Sequence, residues 1–221
     1  MSVKSAIDFG CGIGIFLREI KKRGVSEVLG VDGDYIDRSK LQILAEEFRA
    51  ANLEFPVNIR KKYSIAVSFE VGEHLSPGAA DNFVGSICDS ADIVVFGAAI
   101  PFLTGPGHIN EQWPSYWAKK FSENGFACFD VIRPGLWKLK GNSVWYTPAN
   151  TDRQHALLYV RKNTDEYEKF VKRYSEANLD YIDFVHPSLY EKRSRLYLVY
   201  MCKHPLATIN YIADQVIHRE R

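Results

Sequence analysis

The sequence has almost no excess of charge of either sign: 28 Lys and Arg side chains stand against 27 Asp and Glu side chains in 221 residues. Proteins that bind nucleic acid through its phosphate backbone normally present a basic surface. The balance therefore disfavours nucleic acid as a partner. A hydrophobic share of 46% and a charged share of 25% are those of an ordinary globular protein.

Cysteine is scarce, and its spacing excludes the common cysteine-rich architectures. Cys11, Cys88, Cys128 and Cys202 lie far apart and form no Cys-x-x-Cys pair. This pattern disfavours a thiolate metal site, and so few cysteines in a chain of this length disfavour a disulfide framework. We expect free thiols in a reducing cytoplasm.

Long apolar runs are also absent, and none approaches the roughly 20 residues needed to cross a bilayer. The chain begins only a few residues before a glycine-rich motif, which leaves no room for a signal peptide. We therefore expect a cytoplasmic protein with no membrane partner.

Short apolar runs that predict buried strands alternate with amphipathic runs that predict helices. This alternation predicts βαβ units with right-handed crossovers, which build a doubly wound, mainly parallel α/β sheet. The predicted strands are residues 3–9, 28–31, 63–69 and 91–98, and the predicted helices are residues 15–23, 36–51, 81–90 and 115–124.

The character of the sequence changes late in the chain. Residues 126–132 and 156–161 predict two closing strands, which could form an antiparallel pair, and residues 165–177 predict a charged amphipathic helix. We therefore divide the chain into a core domain, residues 1–163, and a helical C-terminal extension, residues 164–221, which we expect to pack on the core.

A glycine-rich segment, DFGCGIG, follows the first predicted strand and precedes the first predicted helix. Gly10, Gly12 and Gly14 permit positive φ angles and let a ligand approach the backbone closely. Asp32 ends the next predicted strand, where an acidic residue accepts the ribose hydroxyls in nucleotide-binding folds.

The spacing of this segment separates two classes of cofactor. The dinucleotide fingerprint requires a small residue after the third glycine, yet Ile15 follows Gly14. Asp8 would repel a diphosphate, whereas its charge complements the ammonium group of an amino acid. A nicotinamide dinucleotide oxidoreductase is therefore disfavoured.

DFGCGIG, with VDGD after it, resembles the first and second motifs of the class I, Rossmann-like S-adenosylmethionine-dependent methyltransferases, over residues 5–161. The resemblance implies a seven-stranded sheet whose last strand is antiparallel, with S-adenosylmethionine as cofactor and S-adenosylhomocysteine as product. It implies that Asp8 and Gly10 contact the methionine moiety, that Gly12 forms the backbone turn, and that Asp32 binds the ribose.

The resemblance also implies a residue that accepts a hydrogen bond from the adenine amino group after the third strand. We match this position to Asn52 and Leu53, where an amide replaces the usual acid. An Asn side chain can still accept through its carbonyl oxygen. Glu54 is the alternative.

Two further segments, EVGEH at residues 70–74 and GHINEQWPSYW at residues 107–117, resemble a subgroup of these enzymes. We expect Glu70 or Glu73 to hold the methionine end, although an acid here could simply begin a helix.

His108 is the candidate general base, with a hydrogen bond that organises the loop as its alternative role. Glu111 would orient the His108 ring or bind the acceptor, and His74 is the second candidate base, unless it only caps a helix end. His108 and Glu111 are also possible metal ligands, but two ligands without a third do not define a metal site, so we expect none.

The sequence thus predicts a methyltransferase that acts on a small-molecule or carbohydrate acceptor, by O-methylation or, as a close variant, N-methylation. No Asn/Asp-Pro-Pro-Tyr/Phe segment follows the strand at 63–69, which again disfavours nucleic acid. A protein of the same fold that binds the cofactor without catalysis remains the alternative.

Overall fold

A computed structural model describes residues 3–103, 105–138 and 156–185, together with residues 190, 194, 199, 202 and 203. Seven strands form one sheet and are numbered along the chain: β1 Ser5–Phe9, β2 Glu27–Asp32, β3 Phe48–Ala50, β4 Ile65–Phe69, β5 Ile93–Gly97, β6 Phe126–Phe129 and β7 Leu157–Arg161. Their order across the sheet is β3-β2-β1-β4-β5-β7-β6.

Strands β1 to β5 pair in parallel, whereas β7 runs antiparallel to both of its neighbours, β5 and β6. The structure therefore confirms the expected doubly wound, mainly parallel sheet with an antiparallel last strand. The α-helices whose bounds lie within the described ranges are α1 Ile15–Lys21, α2 Ala80–Ser90, α3 Pro114–Glu123, α4 Arg133–Lys138 and α5 Asp165–Val171.

Local chemistry explains where several helices begin. The helix α1 follows the third glycine of the glycine-rich turn, and α3 starts at Pro114, whose fixed φ and missing N–H suit the first helical position. The Thr164 side chain caps α5 by accepting a hydrogen bond from the backbone N–H of Tyr167. No helix within the described ranges is long and apolar enough to cross a membrane.

The core lies on both faces of the sheet, because alternate side chains of each strand point to opposite faces. Ile7 and Phe9 of β1 pack with Phe83 of α2, in the cluster that also holds the buried side chains of α3. Ala6 points the other way and packs with Leu17 of α1. The sheet is thus covered on both faces, as parallel sheets are.

The predicted helix over residues 36–51 is wrong. This segment forms two short 3₁₀ turns, Arg38–Lys40 and Ala45–Glu47, and then strand β3. Phe48 is buried opposite Gly30 of β2, so the strand completes the hydrogen bonding of an otherwise open sheet edge. The expected apolar stripe fails because Leu44 is more than half exposed.

Two late elements are shorter than the sequence predicts. The strand predicted over 126–132 ends at Phe129, and α5 ends at Val171 rather than near residue 177. The described start of the C-terminal extension contacts the core: Ile182 is buried, and the backbone N–H of Ala177 donates to the Cys128 carbonyl at 2.8 Å. Most of residues 186–221 lies outside the described residues.

Candidate functional site

The turn between β1 and α1 is built from glycines that no other residue could replace without strain. Gly10, Gly12 and Gly14 have φ angles of 85°, 54° and 81°, all in the left-handed region. A Cβ atom on Gly10 would lie 2.0 Å from Val71 Cγ2, and one on Gly14 would lie 2.8 Å from Ile43 Cγ1. The turn therefore brings bare backbone to the carboxyl end of β1.

Asp32, at the end of β2, holds this turn in place. Its Oδ2 accepts a hydrogen bond from the backbone N–H of Gly12 at 2.7 Å. Its Oδ1 accepts from the backbone N–H of Gly33 at 2.6 Å and from the Tyr35 hydroxyl at 2.7 Å. A carboxylate offers about four acceptor positions, so a further donor can still be bound, and displacement of Tyr35 would free a second position.

Asp8 lies beneath the same turn and is almost fully buried. Burial, reinforced by the negative charge of Asp32, raises the pKa of Asp8 to about 7. Burial and these two carboxyl groups also raise the pKa of the Cys11 thiol, which stays neutral. Two carboxyl groups beside a glycine turn suit a ligand that carries both a cation and a ribose.

The carboxyl ends of β1 to β4 surround a cleft of about 960 Å³. Six of the residues predicted from the sequence line it: Gly10, Asp32, Asn52, Leu53, Glu70 and His74. The structure therefore brings together most of the predicted cofactor residues, whereas Asp8, Gly12 and Gly14 do not line the cleft.

The two alternatives for the adenine contact differ in their surroundings. Asn52 and Leu53 follow β3, and the Asn52 Oδ1 accepts from the backbone N–H of Glu54. The Glu54 carboxylate is engaged by the backbone N–H and hydroxyl of Ser76. This engagement favours Asn52 over Glu54 as the acceptor that a ligand can use.

Glu70 comes directly after β4 in an unusual backbone conformation. Its φ angle is 55°, in the left-handed region that favours glycine, and its backbone N–H donates to the Gly97 carbonyl at 3.0 Å. Such a conformation costs on the order of 1–3 kcal/mol and is typical of functional sites. It directs the chain across the cleft floor into the 3₁₀ turn Gly72–His74.

A group of titratable side chains lies beside the cleft, where the turn after β4 meets the loop after β5. We call Glu73, His74, His108 and Glu111 the Glu73 cluster. The loop is joined to the turn because the backbone N–H groups of Ile109 and Asn110 both donate to the Glu73 carbonyl, at 2.8 and 3.0 Å.

The two histidine rings of the Glu73 cluster lie edge to face, with centroids 4.8 Å apart. His108 Nδ1 lies 2.8 Å from Glu111 Oε1, and His74 Nδ1 lies 3.2 Å from the Gly107 carbonyl oxygen. His108 Nε2 lies 4.0 Å from Glu73 Oε1. The predicted trio of His74, His108 and Glu111 is thus brought together.

Glu73, which the sequence offers beside Glu70 for the methionine end, lies instead in the cluster with the two histidines. Its side chain is fully buried, and neither carboxylate oxygen has a hydrogen-bond partner among the described residues. Burial raises the pKa of Glu73, whereas the nearby backbone N–H groups of Glu73 and Ala99 lower it. The sequence indicates this position because Glu73 follows β4 and the histidine loop follows β5, at the same edge of the sheet.

Known proteins resemble this chain in a domain family and in fold. Residues 2–88 match a protein family described as a methyltransferase domain. PKMT2 of Rickettsia typhi, solved with S-adenosylhomocysteine, is 11% identical with a TM-score of 0.50, over 73% of this chain and 49% of that one. An O-methyltransferase family protein of Burkholderia thailandensis is 11% identical with a TM-score of 0.51, over 74% and 52%. Magnesium protoporphyrin IX methyltransferase of Synechocystis PCC 6803 is 18% identical with a TM-score of 0.48, over 71% and 69%.

The chain spans about half the length of the Rickettsia and Burkholderia proteins. The comparison with curated proteins gave no match. At these identities the solved structures establish the fold, and the family match establishes the type of domain over residues 2–88. Residues 2–88 thus resemble a methyltransferase domain, and the sheet to which they contribute has the fold of a solved O-methyltransferase family protein.

Proposed function

We propose that the chain transfers a methyl group from S-adenosylmethionine to a hydroxyl group of a small molecule or sugar. The observation that carries this proposal is the Glu73 cluster, which offers proton acceptors directly beside the cofactor cleft. His74 belongs both to the cleft and to the cluster, so an acceptor bound at the cluster would lie next to the cofactor.

The cofactor would be held by the residues predicted from the sequence. Asp8 and Glu70 would face the methionine ammonium, Asp32 the ribose hydroxyls, and Asn52 with Leu53 the adenine. The bare backbone of the glycine turn supports this assignment because a Cβ at Gly10 would fill the space beside Val71. The roles are proposals that rest on position and charge.

The acceptor hydroxyl needs activation, because its pKa lies far above neutrality. When bound, S-adenosylmethionine supplies an already activated methyl group, and the acceptor oxygen displaces the sulfur while the C–S electron pair stays on that sulfur. His108 Nε2 would accept the hydroxyl proton, since Glu111 accepts from Nδ1–H and leaves Nε2 with its lone pair. Such a base contributes roughly 10²–10⁴ in rate.

His74 is the second candidate for this role. Its Nδ1 donates to the Gly107 carbonyl, so its Nε2 also keeps a lone pair. His74 is exposed whereas His108 is largely buried, and burial beside Glu111 fixes the orientation of the His108 ring. This difference favours His108.

The acceptor class follows from the charge and polarity of the site. A net charge of +1 does not favour a nucleic acid, and the cluster is built from hydrogen-bonding groups that suit hydroxyls. The same groups would also bind an amine, so N-methylation is a close variant of the proposed reaction. A protein that binds the cofactor without turnover is the second candidate function.

A panel of sugars, sugar nucleotides and hydroxylated metabolites tests the proposal, with S-adenosylhomocysteine release as the readout and NMR to locate the new methyl group. We expect an O-methylated product and a fall of roughly 10²–10⁴ in kcat for His108→Ala with unchanged cofactor affinity. Methylation on nitrogen would overturn the O-methylation, and cofactor binding without turnover across the panel would favour the non-catalytic alternative.

A further inference from the structure

We propose that Glu73, His74 and His108 form a binding site for one divalent transition-metal cation, such as Zn²⁺, Mn²⁺ or Co²⁺. One ligand atom from each of these residues lies within 4.8 Å of the others. A tetrahedral site with bonds of about 2.1 Å places its ligand atoms roughly 3.4 Å apart. The ligand atoms therefore need to approach by about 1 Å on binding, a shift small enough to keep the contact of His74 Nδ1 with the Gly107 carbonyl.

The hydrogen bonds around the two histidines match those of metal-binding histidines. A carbonyl oxygen can only accept, so the proton of His74 lies on Nδ1, where it is donated to Gly107. The Glu111 carboxylate likewise fixes the proton of His108 on Nδ1. Both Nε2 atoms keep their lone pairs, and a carboxylate or carbonyl on the opposite nitrogen is the usual second contact of a metal-bound imidazole.

The Glu73 carboxylate is the independent observation that points to a ligand. It is completely buried, and no described residue forms a hydrogen bond with either oxygen. An isolated buried carboxylate is costly, and buried charges in proteins are normally paired or coordinate a metal. A cation between Glu73 Oε1 and His108 Nε2, which are 4.0 Å apart, would compensate the carboxylate.

The donor set selects the class of cation. Two imidazole nitrogens with one carboxylate oxygen suit Zn²⁺, Mn²⁺, Fe²⁺ or Co²⁺, whereas Mg²⁺ and Ca²⁺ prefer oxygen ligands throughout. Three protein ligands leave at least one position open, as in catalytic metal sites.

The open position gives the cation a role that rests on the proposed function. An acceptor hydroxyl bound there would have its pKa lowered by the cation, as metal-bound water does. With the cation present, His108 Nε2 is a ligand, so the hydroxyl proton passes to solvent water while the oxygen attacks the methyl carbon. His108 therefore acts as a base only in the metal-free protein.

The site can be tested with the full chain after chelator treatment. Co²⁺ titration is followed by visible d–d absorption, and Mn²⁺ and Zn²⁺ titrations by calorimetry. We expect one cation per chain and at least a tenfold weaker affinity in Glu73→Gln, His74→Asn and His108→Asn.

Glu111→Gln should weaken binding by roughly 10–100-fold, because it removes the partner of His108 Nδ1. Glu46→Gln, an exposed acid in the turn Ala45–Glu47, is the matched control and should bind as the unmodified chain does.

Stabilisation by S-adenosylhomocysteine shows that each variant is folded. The metal site is overturned if the unmodified chain binds no cation at millimolar concentration, or if Glu73→Gln and His108→Asn bind it unchanged. Undiminished methyl transfer by the chelated protein would overturn the cation's role and leave the proposed function intact. Stoichiometric cation binding without methylation of any acceptor would support the site and contradict the proposed function.

Discussion

At the scale of single residues, the protonation of Asp8 should control cofactor binding. With a pKa near 7, caused first by burial and then by Asp32, Asp8 is largely protonated in slightly acidic solution. The methionine ammonium requires the ionised form, so below pH 7 binding must release a proton. Calorimetry should show S-adenosylhomocysteine affinity falling by up to about tenfold per pH unit between pH 7 and about pH 5.5.

The Asp8→Asn variant is the control for this prediction, because it should bind more weakly and without that slope. In the protein without ligand, the free energy of unfolding should change in the opposite direction. Because the folded state holds the Asp8 proton more tightly than the unfolded chain, Asp8 stabilises the fold at low pH. This contribution is lost as pH rises from the usual aspartate range to about 7. A pH-independent affinity in the unmodified chain would exclude Asp8 from the ammonium contact.

Tyr35 is a second residue with a testable role, because its hydroxyl donates to the Asp32 oxygen that the ribose would need. Removing this competing donor in Tyr35→Phe should leave S-adenosylhomocysteine affinity unchanged or raise it a few-fold. Asp32→Ala should weaken binding at least a hundredfold, because it removes the ribose acceptor and the hydrogen-bond partner of the Gly12 backbone N–H. The loss of a charged hydrogen-bonding group costs on the order of 3 kcal/mol. A large loss of affinity in Tyr35→Phe would instead make Tyr35 a cofactor contact.

At the scale of elements, Asn110 joins the histidine loop to the turn after β4. Its buried Nδ2 donates to the Gly72 carbonyl, and its Oδ1 accepts from Gln112. We expect Asn110→Ala to lower the free energy of unfolding by about 1–3 kcal/mol, because the buried partners lose their hydrogen bonds. Turnover should fall because His108 is displaced, while cofactor affinity is preserved.

Urea denaturation, kcat and calorimetry on the same samples check this prediction. Asn124→Ala is the matched control, since Asn124 also donates to a backbone carbonyl but lies exposed at the end of α3. Equal turnover in both variants would show that the loop keeps its position without Asn110.

The elements also show what the sequence could and could not predict. β1, α1 and β2 were predictable because apolar runs end at glycines, and the meeting of EVGEH with the histidine loop followed from the shared edge of parallel strands. Strand β3 could not be predicted, because its three residues adopt an extended conformation by pairing with β2 rather than through a local sequence preference. The complete burial of Glu73 depends on tertiary packing that no local pattern encodes.

At the scale of the whole molecule, the strand order explains where the cleft lies. The order reverses between β1 and β4, which is where doubly wound sheets bind their ligands. Asp32 and Asn52 reach the cleft from the β2 and β3 side, whereas Glu70 and His74 reach it from the β4 side. The cleft is therefore lined by residues from both halves of the sheet.

Thermal unfolding of the whole chain should distinguish this arrangement from dinucleotide binding. A ligand at a hundred times its dissociation constant stabilises the folded state by about 2.7 kcal/mol. For a chain of this size that corresponds to a rise in Tm of about 5–10 °C, which we expect for S-adenosylhomocysteine. NADH should leave Tm unchanged, because Asp8 repels a diphosphate and Ile15 replaces the small residue that a pyrophosphate turn needs. Stabilisation by NADH alone would contradict the assignment of the glycine turn to a sulfonium cofactor.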